Sequence, residues 1–579
     1  QCGYGERGRS LNVARQWIPR SIECLKGYGP KQFSHDLVAG LTVGLVALPL
    51  AMAFAIASGV PPQAGLYTAV VAGFVISALG GSRTQIGGPT GAFVVIVAGI
   101  VAKFGLDGLA LVSLMAGVGL VVMGLTGLGA AVKFIPRAVT IGFTNGIAVL
   151  IASTQIKDFF GLKTPPVPSE FLQRMALLAH CAGTVRWQAV AVSAGSLVVI
   201  LLFPKVNKRI PGSIVALLLA TGATAAFHLP IETIGSRFGG IPQGFPHFAL
   251  PQFRAEHILP LLPSAMTVAL LAAVESLLSA VVADGMSGDH HNSNMELVAQ
   301  GVANMASPLF GGIPATGAIA RTATNIRSGA LTPIAGMVHA VTLLVILLVA
   351  TPLARFVPLA ALAAVLFVVS YNMSEWREVT TILRLSGTAI AVWVTTFVLT
   401  VAADLTVAVG VGMGLAALLY IYRVAETTTV TPVTPEYLED GQPHILQDKM
   451  IPAGVTILRI HGPFLFGCTE KLTEATRDLD ALGSVVILRL RNMSALDATG
   501  LHAIEQFSTR LQKAGKTLLL CGAREQPSEL ISRSDLPIHV GPENVLPHIQ
   551  DALVRAQEIM SDFSSIGREL AFEMEKHPL

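Results

Sequence analysis

Two short stretches in apolar surroundings carry residue types that could bind an anion. Residues 87–93 read GGPTGAF, and residues 311–319 read GGIPATGAI. Glycine and proline interrupt a helix, and the helix that restarts after the proline has free backbone N–H groups at its beginning. A helix N-terminus carries about half a positive charge and attracts anions. A matched pair of breaks, one in each half of a membrane region, indicates the substrate site of a transporter.

The residues that open the two restarting helices are the predicted anion contacts. Small residues let an anion approach the backbone, and the threonines could cap the helices or donate a hydrogen bond. The predicted contacts are Thr90, Gly91, Ala92, Phe93, Thr316, Gly317, Ala318, Ile319, Ala320 and Arg321. An alternative is that the glycines only permit close helix packing, but packing explains the paired prolines and threonines poorly.

Charged residues inside apolar segments are costly and are functional candidates by default. Arg321 follows the second break and would add a full positive charge to the helix dipoles, unless it forms a structural ion pair with Glu275. Glu275 could carry a coupling proton, because its protonation would remove repulsion of the anion. Ser279 lies one helical turn further on, so Glu275 and Ser279 could instead bind Na⁺. The predicted coupling ion is H⁺, with Na⁺ less favoured.

The composition places most of the chain in a membrane. Of the 579 residues, 52% are hydrophobic and 13% are charged, whereas soluble proteins are about 25% charged. A net charge of +3 is too small to predict a nucleic-acid partner. Five scattered cysteines without a CxxC pair argue against a zinc site or a disulfide framework. Residues 1–36 are polar and basic, unlike a signal peptide.

Residues 37–423 consist of successive apolar stretches of about 15 to 25 residues, a length that spans a bilayer as a helix. Fourteen spans are predicted, at residues 37–57, 62–80, 89–104, 108–126, 137–156, 186–203, 210–227, 258–283, 294–310, 317–328, 331–350, 352–371, 384–402 and 404–422. The two breaks precede the third span of each set of seven. Because seven is odd, the second set runs in the opposite sense, which is an inverted repeat.

Basic residues predict the orientation in the membrane. They precede span 1 and recur in the loops on the same side, so the N-terminus is predicted to be cytoplasmic. The loop after span 5 is an exception, since it carries Lys157, Lys163, Arg174 and Arg186. Within this loop, residues 169–180 are predicted to form a surface helix.

The composition changes after residue 423. The predicted domains are a cytoplasmic segment 1–36, a transport domain 37–423, a linker 424–450, a small cytoplasmic α/β domain 451–558 and a charged tail 559–579. Strands are predicted at 455–460, 485–490 and 517–521, and helices at 498–514 and 543–558. Asp497 could cap the first of these helices and leave Thr499 exposed near its N-terminus. Thr499 is therefore a candidate regulatory phosphosite, although a plain N-cap turn explains the same residues.

The chain resembles the SulP family of anion transporters over nearly its whole length. The resemblance is carried by the motifs at 61–67 and 87–91, by the block from Asn304 to Asn325, and by 328–330. The C-terminal part resembles the STAS domain. Its relatives among bacterial anti-sigma-factor antagonists are phosphorylated on a serine that aligns with Thr499.

The resemblance implies the fold of uracil permeases, with a core domain of spans 1–4 and 8–11 and a gate domain of spans 5–7 and 12–14. It also implies a homodimer, a substrate held between spans 1, 3, 8 and 10, and movement of the core against the gate. Four positions depart from the family pattern. Leu50 replaces a glutamine, Ala320 replaces a serine, and Glu275 with Ser279 replaces the aspartate and threonine of Na⁺-coupled bicarbonate transporters.

These observations predict a secondary active transporter of a bacterial inner membrane. The expected activity is proton-coupled symport of a dicarboxylate or sulfate, not an enzymatic reaction. The alternatives are a Na⁺-coupled bicarbonate symporter and a passive anion channel with the same site. A nucleobase permease, which would not need Arg321, and a sensor that signals through the C-terminal domain are further rivals.

Overall fold

The computed structural model describes residues 17–130, 136–168, 170–207, 211–242, 244–251, 258–403, 405–433 and 451–576, with only the backbone for residues 385, 405, 406 and 563–576. The chain divides into two compact units, Gln1–Gly414 and Leu415–Leu579. Each unit is described separately.

The first unit is almost entirely helical, because long apolar segments can satisfy their backbone polar groups in a membrane only as helices. Its helices are α1 (Arg20–Leu25), α2 (Pro30–Ala57), α3 (Pro62–Leu79), α4 (Gly91–Leu125), α5 (Arg137–Phe160), α6 (Phe171–His180), α7 (Trp187–Val206), α8 (Gly212–Ala226), α9 (Ile234–Phe238), α10 (Ile258–Ser287), α11 (Ser293–Leu309), α12 (Ile319–Arg327), α13 (Ile334–Val349), α14 (Thr351–Ala354), α15 (Leu359–Met373), α16 (Trp376–Leu385) and α17 (Gly387–Ala402). Helix α18 (Leu405–Thr427) includes the boundary between the units.

Every predicted span except 352–371 lies on a single helix, and the predicted helix at 169–180 is α6. The span predicted at 352–371 is divided between α14 and α15, which residues 355–358 separate. The third and fourth predicted spans are the two halves of α4, which is interrupted at Gly105, where φ is 70° and ψ is −171°. Among the described residues, eight helices are long and apolar enough to cross a membrane, and three shorter apolar helices have 10–17 residues. The number of fourteen crossings therefore stays a prediction.

Helices from the two halves of the sequence pack against one another. Helix α4 contacts α10 and α11, and α13 contacts α2 and α3. In the other group, α5 contacts α15 and α17, and α15 contacts α7. Alanine and glycine at these interfaces let the backbones approach closely. A Cβ on Gly117, for example, would lie 2.7 Å from the carbonyl oxygen of Gly301.

The two sequence breaks cross each other inside this unit. Strand β1 (Gly87–Gly88) precedes α4, and β2 (Thr316–Gly317) precedes α12. They pair antiparallel, with Gly87 opposite Gly317 and Gly88 opposite Thr316. The pairing satisfies backbone groups where the helices are broken, as a membrane interior requires. Two helix N-termini are thereby placed at one crossing point.

The second unit contains a five-stranded sheet with helices on both faces. Its elements are β3 (Thr429–Pro432), β4 (Val455–His461), α19 (Thr469–Ala475), β5 (Val485–Asn492), α20 (Ala498–Lys513), β6 (Thr517–Cys521), α21 (Glu525–Ser532), α22 (Leu536–Val540), β7 (Val545–Leu546) and α23 (Ile549–Lys576). The order is β3-β4-β5-β6-β7, with β3 antiparallel and the rest parallel. Buried residues cover both faces, so the central strand β5 is a nearly continuous apolar run.

The predicted strands and the helix at 498–514 are confirmed, but both predicted edges of this domain differ in the structure. The segment predicted as the start of a linker contains β3, which pairs with β4 along 429–432. Residues 434–450 of the linker lie outside the described residues. Helix α23 begins later than predicted, at Ile549, and continues through the predicted tail to Lys576. Its apolar side packs on the sheet through Ala552 and Ala556, and Ile559 and Met560 continue these contacts past residue 558.

Candidate anion site at the crossing of two broken helices

The crossing places two half-helix beginnings beside one cation. Arg321 is the third residue of α12 and is only 2% exposed. Its Nη2 donates a hydrogen bond to the carbonyl oxygen of Pro89, in the other break. Its Nη1 has no hydrogen-bond partner. A buried donor without a partner costs about 1–3 kcal/mol, and more when it is charged. The guanidinium therefore presents the unsatisfied N–H groups of Nη1 at the crossing.

Gly88 makes room for this guanidinium. A Cβ at position 88 would lie 2.6 Å from Nη1 of Arg321, and the backbone φ of +145° is also unfavourable for residues with a side chain. Any other residue here would displace the arginine or distort β1. The glycine of the first break is thus required by the arginine of the second.

The sequence left open an ion pair between Arg321 and Glu275, and the structure places these side chains in different contacts. Oε2 of Glu275 accepts a hydrogen bond from Thr90 Oγ1 at 3.3 Å. Arg321 forms no salt bridge with any carboxylate of the residues that the structure describes. The half-buried carboxyl of Glu275 is therefore free to change its charge without breaking an ion pair.

Neither threonine caps its helix through its side chain, which corrects one of the two roles predicted for them. Thr90 stands at the N-cap of α4 but makes no side-chain capping bond, because its hydroxyl is directed to Glu275. Thr316 lies in β2, before the N-cap residue Ala318 of α12. Its hydroxyl contacts Ser276 Oγ at 2.7 Å and the carbonyl oxygen of Ala272 at 3.2 Å. The first N–H groups of both helices therefore receive no capping bond from these side chains.

The two predicted Na⁺ ligands, Glu275 and Ser279, form hydrogen bonds with different partners and do not face a common point. Ser279 is fully buried, and its Oγ lies 3.2 Å from Thr322 Oγ1. Thr322 Oγ1 in turn accepts from the backbone N–H of Ile86 at 3.0 Å. Ser279 thus belongs to the contacts that join α10 to the two breaks, whereas Glu275 faces Thr90.

The two helix beginnings differ in access. Gly91, Ala92 and Phe93 are buried, and a Cβ on Gly91 would lie 2.9 Å from Ile151 Cδ1 and 3.3 Å from Met373 Sδ. In α12, Ile319 is 37% exposed and Ala320 is also exposed. The beginning of α4 is therefore covered by α5 and α15, whereas α12 is exposed at Ile319 and Ala320.

Comparison with known proteins identifies the family. The sulfate permease family model matches residues 33–396, and the STAS domain model matches residues 448–552. The chain belongs to the sulfate permease family.

Its relatives in this family are named as transporters. The Bacillus subtilis (strain 168) protein "Putative sulfate transporter YvdB" is 42% identical over 525 residues, which are 90% of this chain and 98% of that protein. Bicarbonate transporter BicA of Picosynechococcus sp. is 31% identical over 549 residues, 90% of this chain and 94% of that protein. This sulfate permease family member is therefore a membrane-spanning anion transporter with a STAS domain, and its bacterial relatives are consistent with the plasma membrane.

A solved structure gives the same fold. Murine Slc26a9, described as an anion transporter in the inward-facing state, superposes with a TM-score of 0.83 at 20% identity and covers 94% of this chain and 95% of that one. The sequence-based family and fold class are confirmed.

Sequence reasoning missed the residues that hold the two breaks of this sulfate permease together. Ser276 accepts from the backbone N–H of Gly317 at 3.0 Å, and its own carbonyl oxygen accepts from Gln85 Nε2 at 3.0 Å. Asn304 binds both backbone groups of Ala315, at 2.8 and 2.9 Å. The sequence feature that could have indicated these residues is a polar side chain in an otherwise apolar helix, because a buried polar group must have a hydrogen-bond partner.

In the STAS domain, Thr499 is exposed in the first turn of α20. The Asp497 carboxylate accepts from the backbone N–H of Gly500 at 2.7 Å and of Phe466 at 3.0 Å. Asp497 is therefore the predicted N-cap and also fixes the preceding loop. Phosphorylation of Thr499 stays a prediction.

Proposed function

We propose that this protein is a proton-coupled symporter of sulfate or a small dicarboxylate, which binds between the beginnings of α4 and α12. The observation that carries the proposal is the buried Nη1 of Arg321, which has no partner at the point where the two breaks cross. An anion oxygen would satisfy this donor. The partial charges of two helix N-termini would add to its attraction.

Geometry supports binding through backbone and arginine rather than through many side chains. Ala320 brings a small side chain to the open helix beginning, where a serine in its place would have added a hydroxyl. Gly88 keeps the guanidinium close to the backbone of β1. A planar guanidinium suits oxyanions because it can bind two oxygens at once.

Charge balance supports a coupling role for Glu275. With the Glu275 carboxyl ionised, its negative charge offsets that of Arg321, and a dianion would meet little net attraction. With the carboxyl protonated, Arg321 and the two helix ends would favour a dianion. Binding of a proton and of the dianion would thus be mutually reinforcing, and the two would move together.

A Na⁺-coupled bicarbonate symporter is the second candidate, favoured by the similarity to BicA. The contact of Ser279 with Thr322 favours H⁺ over Na⁺ as the coupling ion, because it leaves Glu275 without the second oxygen ligand predicted for Na⁺. In this reading a monoanion would bind while Glu275 stays ionised.

Uptake into proteoliposomes tests the proposal. Labelled sulfate, bicarbonate and a C4-dicarboxylate are each supplied with an inward proton gradient, an inward Na⁺ gradient, or neither. We expect accumulation of sulfate or the dicarboxylate with the proton gradient alone. Accumulation driven only by Na⁺ would overturn proton coupling, and equilibration without accumulation would show a channel or facilitator.

A further inference from the structure

The basic residues after span 5 are the feature that the proposed function leaves unexplained. Under the positive-inside rule they lie on the face where lysine and arginine are depleted. The structure gathers Lys157, Lys163 and Arg186 around one cavity, at the end of α5 and the beginning of α7. Arg174 is separate, because it is buried and donates to Ser153 Oγ and the Pro168 carbonyl oxygen. We call the cavity the basic pocket.

Both acidic residues of the basic pocket are hydrogen-bonded to a fourth cation, Arg237. Arg237 donates two hydrogen bonds to Asp158, at 2.6 and 3.1 Å, and another to Glu232, at 2.9 Å. Burial alone would lower the pKa of Arg237, but the neighbouring Asp158 and Glu232 carboxylates raise it above its ordinary value. One arginine thus occupies both carboxylates, and neither is available to the other cations.

The other three cations of the lining form no ion pair within the described residues. Arg186 donates one hydrogen bond, to the Pro230 carbonyl oxygen, which orients the side chain without neutralising it. The ammonium groups of Lys157 and Lys163 have no carboxylate or carbonyl partner in the described part of the chain. With four cations and two carboxylates, the lining carries a net charge of +2. Clefts lined by one sign of charge concentrate ions of the opposite sign.

The backbone holds these groups in place rather than leaving them on a loose loop. The N–H of Arg186 bonds to the Phe160 carbonyl oxygen at 3.0 Å. Gly161 has the left-handed φ of 62°, and a Cβ there would lie 2.6 Å from that of Ala189. The end of α5 and the start of α7 therefore pack closely around the basic pocket.

We propose that the basic pocket is a second, weak anion site, which collects small inorganic anions on the face opposite the N-terminus before transport. Its cavity of about 20 Å³ has room for roughly one water-sized particle. Chloride is therefore the anion chosen as the probe, whereas a larger oxyanion would be held at the mouth of the cavity. Such a site exchanges rapidly and raises the local anion concentration without trapping the substrate. The collecting role rests on the proposed function, but anion binding at the pocket does not.

Chloride binding can be measured without transport, by the excess ³⁵Cl NMR line broadening of the purified full-length protein. We expect Lys157→Gln/Lys163→Gln to reduce the broadening and Lys157→Arg/Lys163→Arg to retain it. The matched control is Lys205→Gln, which removes an exposed lysine at the other end of α7. Equal broadening in the glutamine variant and the wild type would overturn the site. A lower melting temperature with unchanged broadening would assign Lys157 to stabilising the C-terminus of α5 instead, and would also overturn it.

Sided uptake tests the collecting role. In proteoliposomes sorted by orientation, we expect the glutamine variant to raise KM about threefold at low ionic strength, for entry from the pocket side only. The difference should vanish at about 0.15 M salt, where the Debye length is about 8 Å. An equal change from both sides would overturn the collecting role. If no anion is transported at all, the proposed function fails while the line broadening still decides whether the pocket binds anions.

Discussion

The two broken helices at the crossing have the same backbone arrangement, but they differ in charge and in how far their first residues are exposed. Each break is a two-residue strand followed by a helix, and the strands pair with each other. The first helix beginning is covered by Ile151 and Met373, whereas the second exposes Ile319 and Ala320 and carries Arg321. The two breaks thus have the same backbone arrangement, and a single arginine and unequal cover distinguish them.

The largest effect is expected when the charge difference between the two breaks is removed. Arg321→Ala should lower uptake by at least about tenfold, because a hydrogen bond to a charged group contributes roughly 1.5–3 kcal/mol. The matched control is Arg327→Ala, in the last turn of the same helix and exposed. Initial uptake rates in proteoliposomes check this. Normal transport by a folded Arg321→Ala protein would show that the anion binds elsewhere.

The difference in access can be tested by adding bulk at the open helix beginning. Ala320→Trp should block uptake with little loss of stability, since the side chain of Ala320 is exposed. Ala320→Ser adds one hydroxyl and should remain active. Tryptophan at Thr90, which is only 8% exposed, would instead disturb packing, so it is the weaker test. Full activity of Ala320→Trp would place the path away from α12.

A smaller effect is expected when the arginine is moved rather than removed. Gly88→Ala should raise KM several-fold, because the new methyl group would meet Nη1 of Arg321 and the backbone conformation costs about 1–3 kcal/mol. Gly99→Ala is the control, since a Cβ there has no neighbour within 4 Å. Substrate titrations of both variants measure the change. Equal KM values would mean that the position of the guanidinium does not matter.

The smallest change in uptake rate is expected when Glu275 is replaced, because its carboxyl is proposed to bind a proton without contacting the anion. Glu275→Gln should retain exchange of anions down their gradient and lose the pH dependence of uptake. The comparison is Glu296→Gln, whose carboxylate accepts from Gly81 N and Gln300 Nε2, both at 2.9 Å.

Glu296→Gln turns one of the two carboxylate oxygens into an NH2 group, so one of the two buried donors loses its acceptor. The melting temperature should therefore fall instead. Uptake at several pH values and thermal unfolding separate the two carboxyls. A pH profile that survives in Glu275→Gln would move coupling to another group.

The two breaks and the helices could be predicted from the sequence because each is marked by residues close together in the chain. Glycine and proline marked both breaks, and long apolar runs marked the helices, since a membrane admits little other backbone structure. The position of Arg321 near the start of a restarting helix followed from its place shortly after the second break. The STAS strands were equally readable, because parallel strands buried on both faces form apolar runs.

The hydrogen-bond partners of the side chains could not be predicted from the sequence in this way. The sequence allowed Thr90 to cap its own helix, yet its hydroxyl meets Glu275, 185 residues away. Glu275 and Glu296 are both acids in helices that pack on α4, and only the structure shows that Glu296 has two donors of its own. Such assignments depend on which helices become neighbours, which no local pattern encodes.

The sequence by itself determined the membrane class, the paired breaks and the family, because composition, periodicity and motifs act over a few residues at a time. Only the tertiary structure decided that the breaks cross, that Arg321 keeps one donor unpaired, and that the first helix beginning is covered while the second is open. The physical reason is that hydrogen bonding and access are set by contacts between distant segments. These contacts follow from how the helices pack, not from the order of residues within any one of them.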